Sequence, residues 1–256
     1  MAEGVQSHSL KGQVGEAEWR TRVDLAALYR LVALHGWDDL VFTHISARLP
    51  TEDPQFLINP YGMLFGEIRA SDLVRVDMQA NILEDRQVFI NPAGFTIHSA
   101  IHAARPDAHF VIHLHSDNGV AVSAQKEGLL PISQHAMIVS PHLAYHDYEG
   151  IALNLDERER IVADLGPKNV MLLRNHGTLA LGATAGQAWG GAFFLERACA
   201  IQVKALSAGR LGVLEATPAA QDEVAAVAAG ALPGGGMLVW PGSLRLLDRQ
   251  SPGYDT

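Results

Sequence analysis

Along residues 16–35, Leu25, Leu28, Tyr29 and Val32 recur at i, i+3, i+4 and i+7, a spacing that predicts an amphipathic helix stopped by Gly36. Residues 1–15 carry no such period and are expected to be disordered. Short apolar runs over residues 44–49, 56–59 and 73–77, punctuated by Pro50, Pro54, Pro60 and Gly62, predict strands. A helix over residues 95–104 should end before Arg105-Pro106, and residues 108–115 then form a further strand. Helix and strand alternate after that: helix over 117–125, strand over 137–139, helix over 156–165 closed by Gly166-Pro167, and strand over 170–174. The longest helix begins after Thr184, with Trp189, Ala192, Phe193, Cys199, Val203 and Leu206 on one stripe read as core packing.

Beyond Gly212 the pattern changes. An alanine-rich segment, residues 219–229, runs into Pro233-Gly234-Gly235-Gly236 and a polar end. Met237-Leu238-Val239-Trp240 is too apolar to leave in water, so this tail is expected to dock on the domain or on a neighbouring subunit. The expected organisation is therefore a disordered 1–15, one domain over 16–210 and a docking tail over 211–256.

A chain of 256 residues with 48% hydrophobic content can bury one large core. Its 28 acidic residues outnumber 19 basic ones, and no run of Lys or Arg occurs, which argues against a nucleic-acid or anionic-membrane surface. The expected partner is a small molecule or another copy of the chain. Cys199 is the single cysteine, so no internal disulfide exists, and with no basic-then-apolar N-terminal segment the expected location is the cytoplasm.

The chemistry concentrates in histidine. In a strand, His113 and His115 leave the same face while Phe110, Ile112 and Leu114 leave the other. His176 closes a second apolar run, Val170-Met171-Leu172-Leu173, and Gly177 offers a turn that would swing its imidazole toward the first pair. Three neutral nitrogen donors on one side of an ion, with the far side open, suit a catalytic metal. Eight of the twelve histidines fall between His98 and His146, and His98 and His102 lie four apart on one helix face. That pair allows a second metal reading, against which stands simple hydrogen bonding within the fold.

Asn91-Pro92-Ala93-Gly94-Phe95-Thr96-Ile97-His98, Ala104-Arg105-Pro106-Asp107, His113-Leu114-His115 and Arg174-Asn175-His176-Gly177 follow one another in an order that resembles the class II aldolase/adducin family. Leu129-Leu130-Pro131-Ile132-Ser133 and Tyr145-His146-Asp147-Tyr148-Glu149-Gly150 resemble its adducin branch. The resemblance spans roughly residues 25–208 and implies an α/β fold: an αβα sandwich around a mostly antiparallel central sheet. It also implies a homo-oligomer, usually a tetramer, and one divalent metal on His113, His115 and His176, with zinc first and iron or manganese as alternatives.

The departures matter as much. Where the aldolases carry a catalytic glutamate, four residues before the position of His98, this chain has Gly94. Where they cradle phosphate with small donors, it has Thr43-His44, Asn59-Pro60-Tyr61-Gly62 and Pro92-Ala93, so a non-phosphorylated carboxylate held by His44, Asn59 and Tyr61 beside Gly94 is expected instead. Near the place of the aldolases' catalytic tyrosine stands His135, a candidate acid or base whose alternative is an ordinary loop histidine. Tyr148 is a second catalytic candidate, and Asp147 and Glu149 are either substrate-loop groups or a solvated turn. Three functions follow in order: a metal-dependent lyase cleaving or decarboxylating a small hydroxy- or oxo-acid, a non-heme iron oxygenase of 4-hydroxyphenylpyruvate-like aromatic acids, and a non-catalytic adducin-like interaction domain.

Overall fold

The computed structural model describes residues 9–150, 156–207 and 209–256, leaving the first half of the expected disordered terminus, residues 1–8, outside the described residues. Residues 9–15, contrary to the expected disorder, form a turn tied down by the Leu10 amide donating to Ser71 Oγ. Helix α1 (Glu16–Leu34) then buries Leu25, Leu28, Tyr29 and Val32, the stripe its period predicts.

Seven strands make one sheet in the order β3-β2-β1-β4-β7-β6-β5. They are β1 (His44–Arg48), β2 (Gln55–Ile58), β3 (Val74–Asp77), β4 (Phe110–Leu114), β5 (Leu143–His146), β6 (Val170–Leu173) and β7 (Gly177–Gly182). Every pairing is antiparallel except β5 with β6. Period-2 alternation along β4 divides two cores. Phe110, Ile112 and Leu114 enter the larger one with α1 and α6 (Ala185–Leu206), whereas Val111 enters a smaller one with Ile97 and Ile101 of α2 (Pro92–Ala104) and Ile161 and Leu165 of α5 (Glu157–Leu165). Helices thus cover both faces of a mostly antiparallel sheet.

Three features differ from the expectation. Residues 137–139 are not a strand but the end of α4 (Gln134–Val139), because Ser133 caps a helix there by accepting from the Ala136 amide. The strands β5 and β7 carry no expected counterpart. β7 is buried along its whole length, so it lacks the polar alternation that marks a half-exposed strand.

The C-terminal segment is the third difference. It forms a helix, α7 (Pro218–Gln250), which carries Pro233 and Pro241 within it and lies against α6. The glycines let the two backbones touch: a Cβ on Gly236 would lie 2.5 Å from the Gln187 nitrogen, and one on Gly186 would lie 2.5 Å from the Gly236 carbonyl. Trp240 Nε1 donates to Asp24 on α1 at 3.3 Å, while Leu238 and Val239 stay exposed. The last residues return to the domain, where Ala70 and Ser71 amides donate to Tyr254 and Thr256 carbonyls. Among the described residues no helix is long and apolar enough to cross a membrane.

Candidate metal centre

His113 sits near the end of β4, and His115 follows just beyond it. His176 belongs to the three-residue hairpin Arg174-Asn175-His176 between β6 and β7, whose register closes with Leu173 opposite Gly177. The left-handed residue of this turn is Asn175, at φ 55°, rather than the glycine after it. Gly177 serves packing instead, since a Cβ there would lie 2.2 Å from the Leu114 carbonyl oxygen.

These elements bring the three rings together, with candidate ligand atoms all within 4.8 Å of one another. His113 Nδ1 donates to the Thr178 carbonyl at 3.0 Å, and His115 Nδ1 donates to Asp39 Oδ2 at 3.1 Å. A neutral imidazole whose Nδ1 carries the proton leaves Nε2 as a bare lone pair. The two Nε2 atoms face each other at 3.2 Å. In the neutral form that a metal ligand must take, two lone pairs at that distance repel unless a cation lies between them, and tetrahedral Zn–N bonds of about 2.0–2.1 Å require an N···N separation of about 3.3 Å. The donor set and its spacing therefore fit a divalent metal.

Supporting contacts reach further. Thr178 Oγ1 donates at 2.7 Å to Glu196 of α6, which also accepts from Ser116; burial holds the Glu196 carboxyl above its usual range. Burial, reinforced by His115 and His146, lowers His176 to about 4, and burial with the neighbouring imidazoles holds His113 well below its ordinary value. Both rings are thus neutral near pH 7, the form a metal needs.

The triad opens into a cavity of about 450 Å³. Thr43, His44, Tyr61, Gly94 and Tyr148, each singled out in the sequence, line it together with Asp39 and Phe42, which sequence reasoning missed. Phe42 and Tyr61 form an aromatic wall with ring centroids 6.4 Å apart, and Phe89 stands 5.8 Å beyond Tyr61. Tyr148, half exposed, has its ring 6.3 Å from that of His176. His44 is buried, its ring stacked 6.5 Å from His113, and among the described residues neither of its nitrogens has a partner. Burial first, then His115 and His176, lowers it to about 3. Its ring occupies the room beside Gly94, where a Cβ would lie 2.3 Å from His44 Nδ1.

Other candidates lie elsewhere. Asn59 does not line the cavity: its Oδ1 accepts from Tyr29 and its Nδ2 donates to the Pro60 carbonyl, which fastens β2 to α1. His135 packs on Phe194, ring centroids 5.6 Å apart, and the single chain does not bring it to the triad. Glu149 pairs with Arg160 and Asp147 is exposed, as a solvated turn would have them. The side chains of Pro92 and Ala93 lie outside the described residues. His98 and His102 are joined through Ser46 Oγ, at 2.5 and 2.7 Å, as hydrogen-bonded rings rather than a second metal pair. For Asp39 the sequence carried no signal, since 76 residues separate it from His115.

A sheet covered by helices on both faces, with three histidines converging at the end of its central strands, defines a mixed α/β protein with a single-metal type of site. The family model for the Class II Aldolase and Adducin N-terminal domain matches residues 23–203, and the chain belongs to this family. It is 68% identical to a Caulobacter vibrioides protein named as a candidate aldolase class 2 protein, over 99% of both chains. It is 46% identical to alpha-adducin of Rattus norvegicus across 73% of this chain but 26% of that longer protein. The crystal structure of an aldolase II superfamily protein from Pseudomonas syringae superposes with a TM-score of 0.94 at 49% identity, covering 97% of this chain and all of the other.

Proposed function

We propose that this chain is a metal-dependent lyase that cleaves or decarboxylates a small, non-phosphorylated hydroxy- or oxo-acid, with one divalent ion, zinc first, on His113, His115 and His176. The observation that carries the reading is the pair of Nε2 atoms 3.2 Å apart, on two rings whose Nδ1 atoms are each occupied by a hydrogen bond. When bound, the ion supplies a Lewis acid for a carbonyl or carboxylate oxygen. The chain's own residues do the rest. Asp39 and the Thr178 carbonyl orient the ligands. Phe42 and Tyr61 exclude water and offer an apolar wall, which favours an acid with an aromatic or aliphatic tail. No Lys or Arg is among the described residues lining the cavity, so a phosphate dianion would find no side-chain cation among them.

Purified zinc-loaded protein should cleave 2-oxo-4-hydroxy acids and leave fuculose and ribulose phosphates nearly untouched; efficient turnover of either sugar phosphate overturns the substrate assignment. Turnover should persist without oxygen, whereas dependence on oxygen and ferrous iron would favour the oxygenase reading. An adducin-like binding role is supported by the likeness to alpha-adducin, and an apo protein that takes up no metal would favour it. We also propose a homo-oligomer, a tetramer by analogy with the family, for which the exposed Leu238 and Val239 on α7 provide apolar surface. Light scattering should report a mass above that of the monomer at micromolar concentration.

A further inference from the structure

Under β1 lies a buried chain of polar groups that the metal triad does not use. His102 Nδ1 sits 2.9 Å from the Ala108 carbonyl, which can only accept, so this nitrogen carries the proton. The ring is fully buried and no carboxylate among the described residues touches it, so it is neutral and its Nε2 is an acceptor. Ser46 Oγ, 2.7 Å away, must donate to it. Having spent its one hydrogen, Ser46 can only accept from His98 Nδ1, at 2.5 Å. His98 is then protonated at Nδ1 and bare at Nε2, and that Nε2 is buried with no partner among the described residues. The neighbouring ring is His44, edge-on at 5.9 Å between centroids and interplanar angle 83°, with both nitrogens buried and unpartnered among the described residues. One end of the chain lacks a donor, and the ring beside it lacks an acceptor. A small ring rotation or one bridging water would join them.

We propose that His102, Ser46 and His98 form a hydrogen-bond relay that fixes the tautomer of His44, a residue of the cavity wall, with its proton toward His98 and its other nitrogen, covered in the free chain, left as an acceptor that a small turn of the ring presents to a substrate hydroxyl. The direction of every bond follows from the Ala108 carbonyl, so the relay cannot be reversed while the rings are neutral. Gly94 is part of the device, because any side chain there would meet the His44 ring. The inference deepens the proposed function by naming what the acid must carry: a hydroxyl placed to donate to His44, rather than an oxo group alone. His44 touches the substrate in this arrangement, while Ser46, His98 and His102 act as positioning residues.

Two measurements test it. In metal-free wild-type protein, long-range ¹⁵N–¹H NMR should find His98 and His102 in the Nδ1–H tautomer; a proton on Nε2 of either ring overturns the relay without reference to any metal or activity. In zinc-loaded protein, calorimetry should show mandelate binding at least tenfold tighter than phenylacetate, with that preference abolished in His44→Ala and reduced in Ser46→Ala while zinc content is unchanged. An undiminished preference in both variants overturns the role of His44 even if the lyase reading stands. Loss of zinc uptake by wild type would instead count against the lyase reading, and the tautomer result would still decide the relay.

Discussion

His115 is held by Asp39 at 3.1 Å, a carboxylate behind a proposed ligand ring, and such partners typically change metal affinity by about 10–100-fold when removed. Asp39→Ala should therefore weaken zinc affinity by that factor in a chelator competition; unaltered affinity would mean that the carboxylate does not orient the ring. His44 and Gly94 form a second coupled pair. Gly94→Ala drives a methyl into the imidazole and should cost about 1–3 kcal/mol, the usual range for overpacking. His44→Ala combined with Gly94→Ala should recover most of that loss in urea unfolding, and strictly additive effects would contradict the contact.

The buried rings also set a pH dependence. His102 is lowered by burial to about 3 against an ordinary 6.5, and burial holds His98 well below the same value. Because the unfolded chain takes up protons below 6.5 and the folded chain does not, stability present above pH 6.5 is lost as pH falls toward 3. Each ring removes up to about 1.4 kcal/mol per pH unit within that window. Urea unfolding of the metal-free protein at pH 7, 6 and 5 should show this decline; a flat profile would mean that the rings are charged or solvated.

At the scale of elements, what could be read in advance followed from period. The i, i+3, i+4, i+7 stripe of α1 and the alternation along β4 survive because each element presents one face to a core, and the same alternation delivered His113 and His115 together. Where burial is complete the period vanishes, which hid β7; where a cap outweighs a three-residue apolar run, a strand was expected and α4 formed. The helix through Pro233-Gly234-Gly235-Gly236 ran against propensity altogether, and its reason lies in α6: only glycine lets the backbones meet at Gly186 and Gly236. Gly236→Val should destabilise by about 1–3 kcal/mol or more, since its Cβ would strike backbone with no side chain able to yield. A variant of unchanged melting temperature would show that the crossing is looser than these distances require.

Across the whole molecule, the triad was legible because its three residues end apolar runs, whereas its supports were not. Asp39, Thr178 and the Ser46–His98–His102 chain arrive from separate elements, and only the folded sheet makes them neighbours. His135, placed on α4 beside Phe194, can act at this cavity only if another copy of the chain presents it there. The central claim is that one metal is held by His113, His115 and His176, and elemental analysis of purified protein after zinc loading and desalting tests it most directly. The account predicts about one zinc per chain in the wild type and none above background in the triple alanine variant, with circular dichroism unchanged. An unchanged stoichiometry in a folded triple variant, or a wild type that retains no metal, would contradict it.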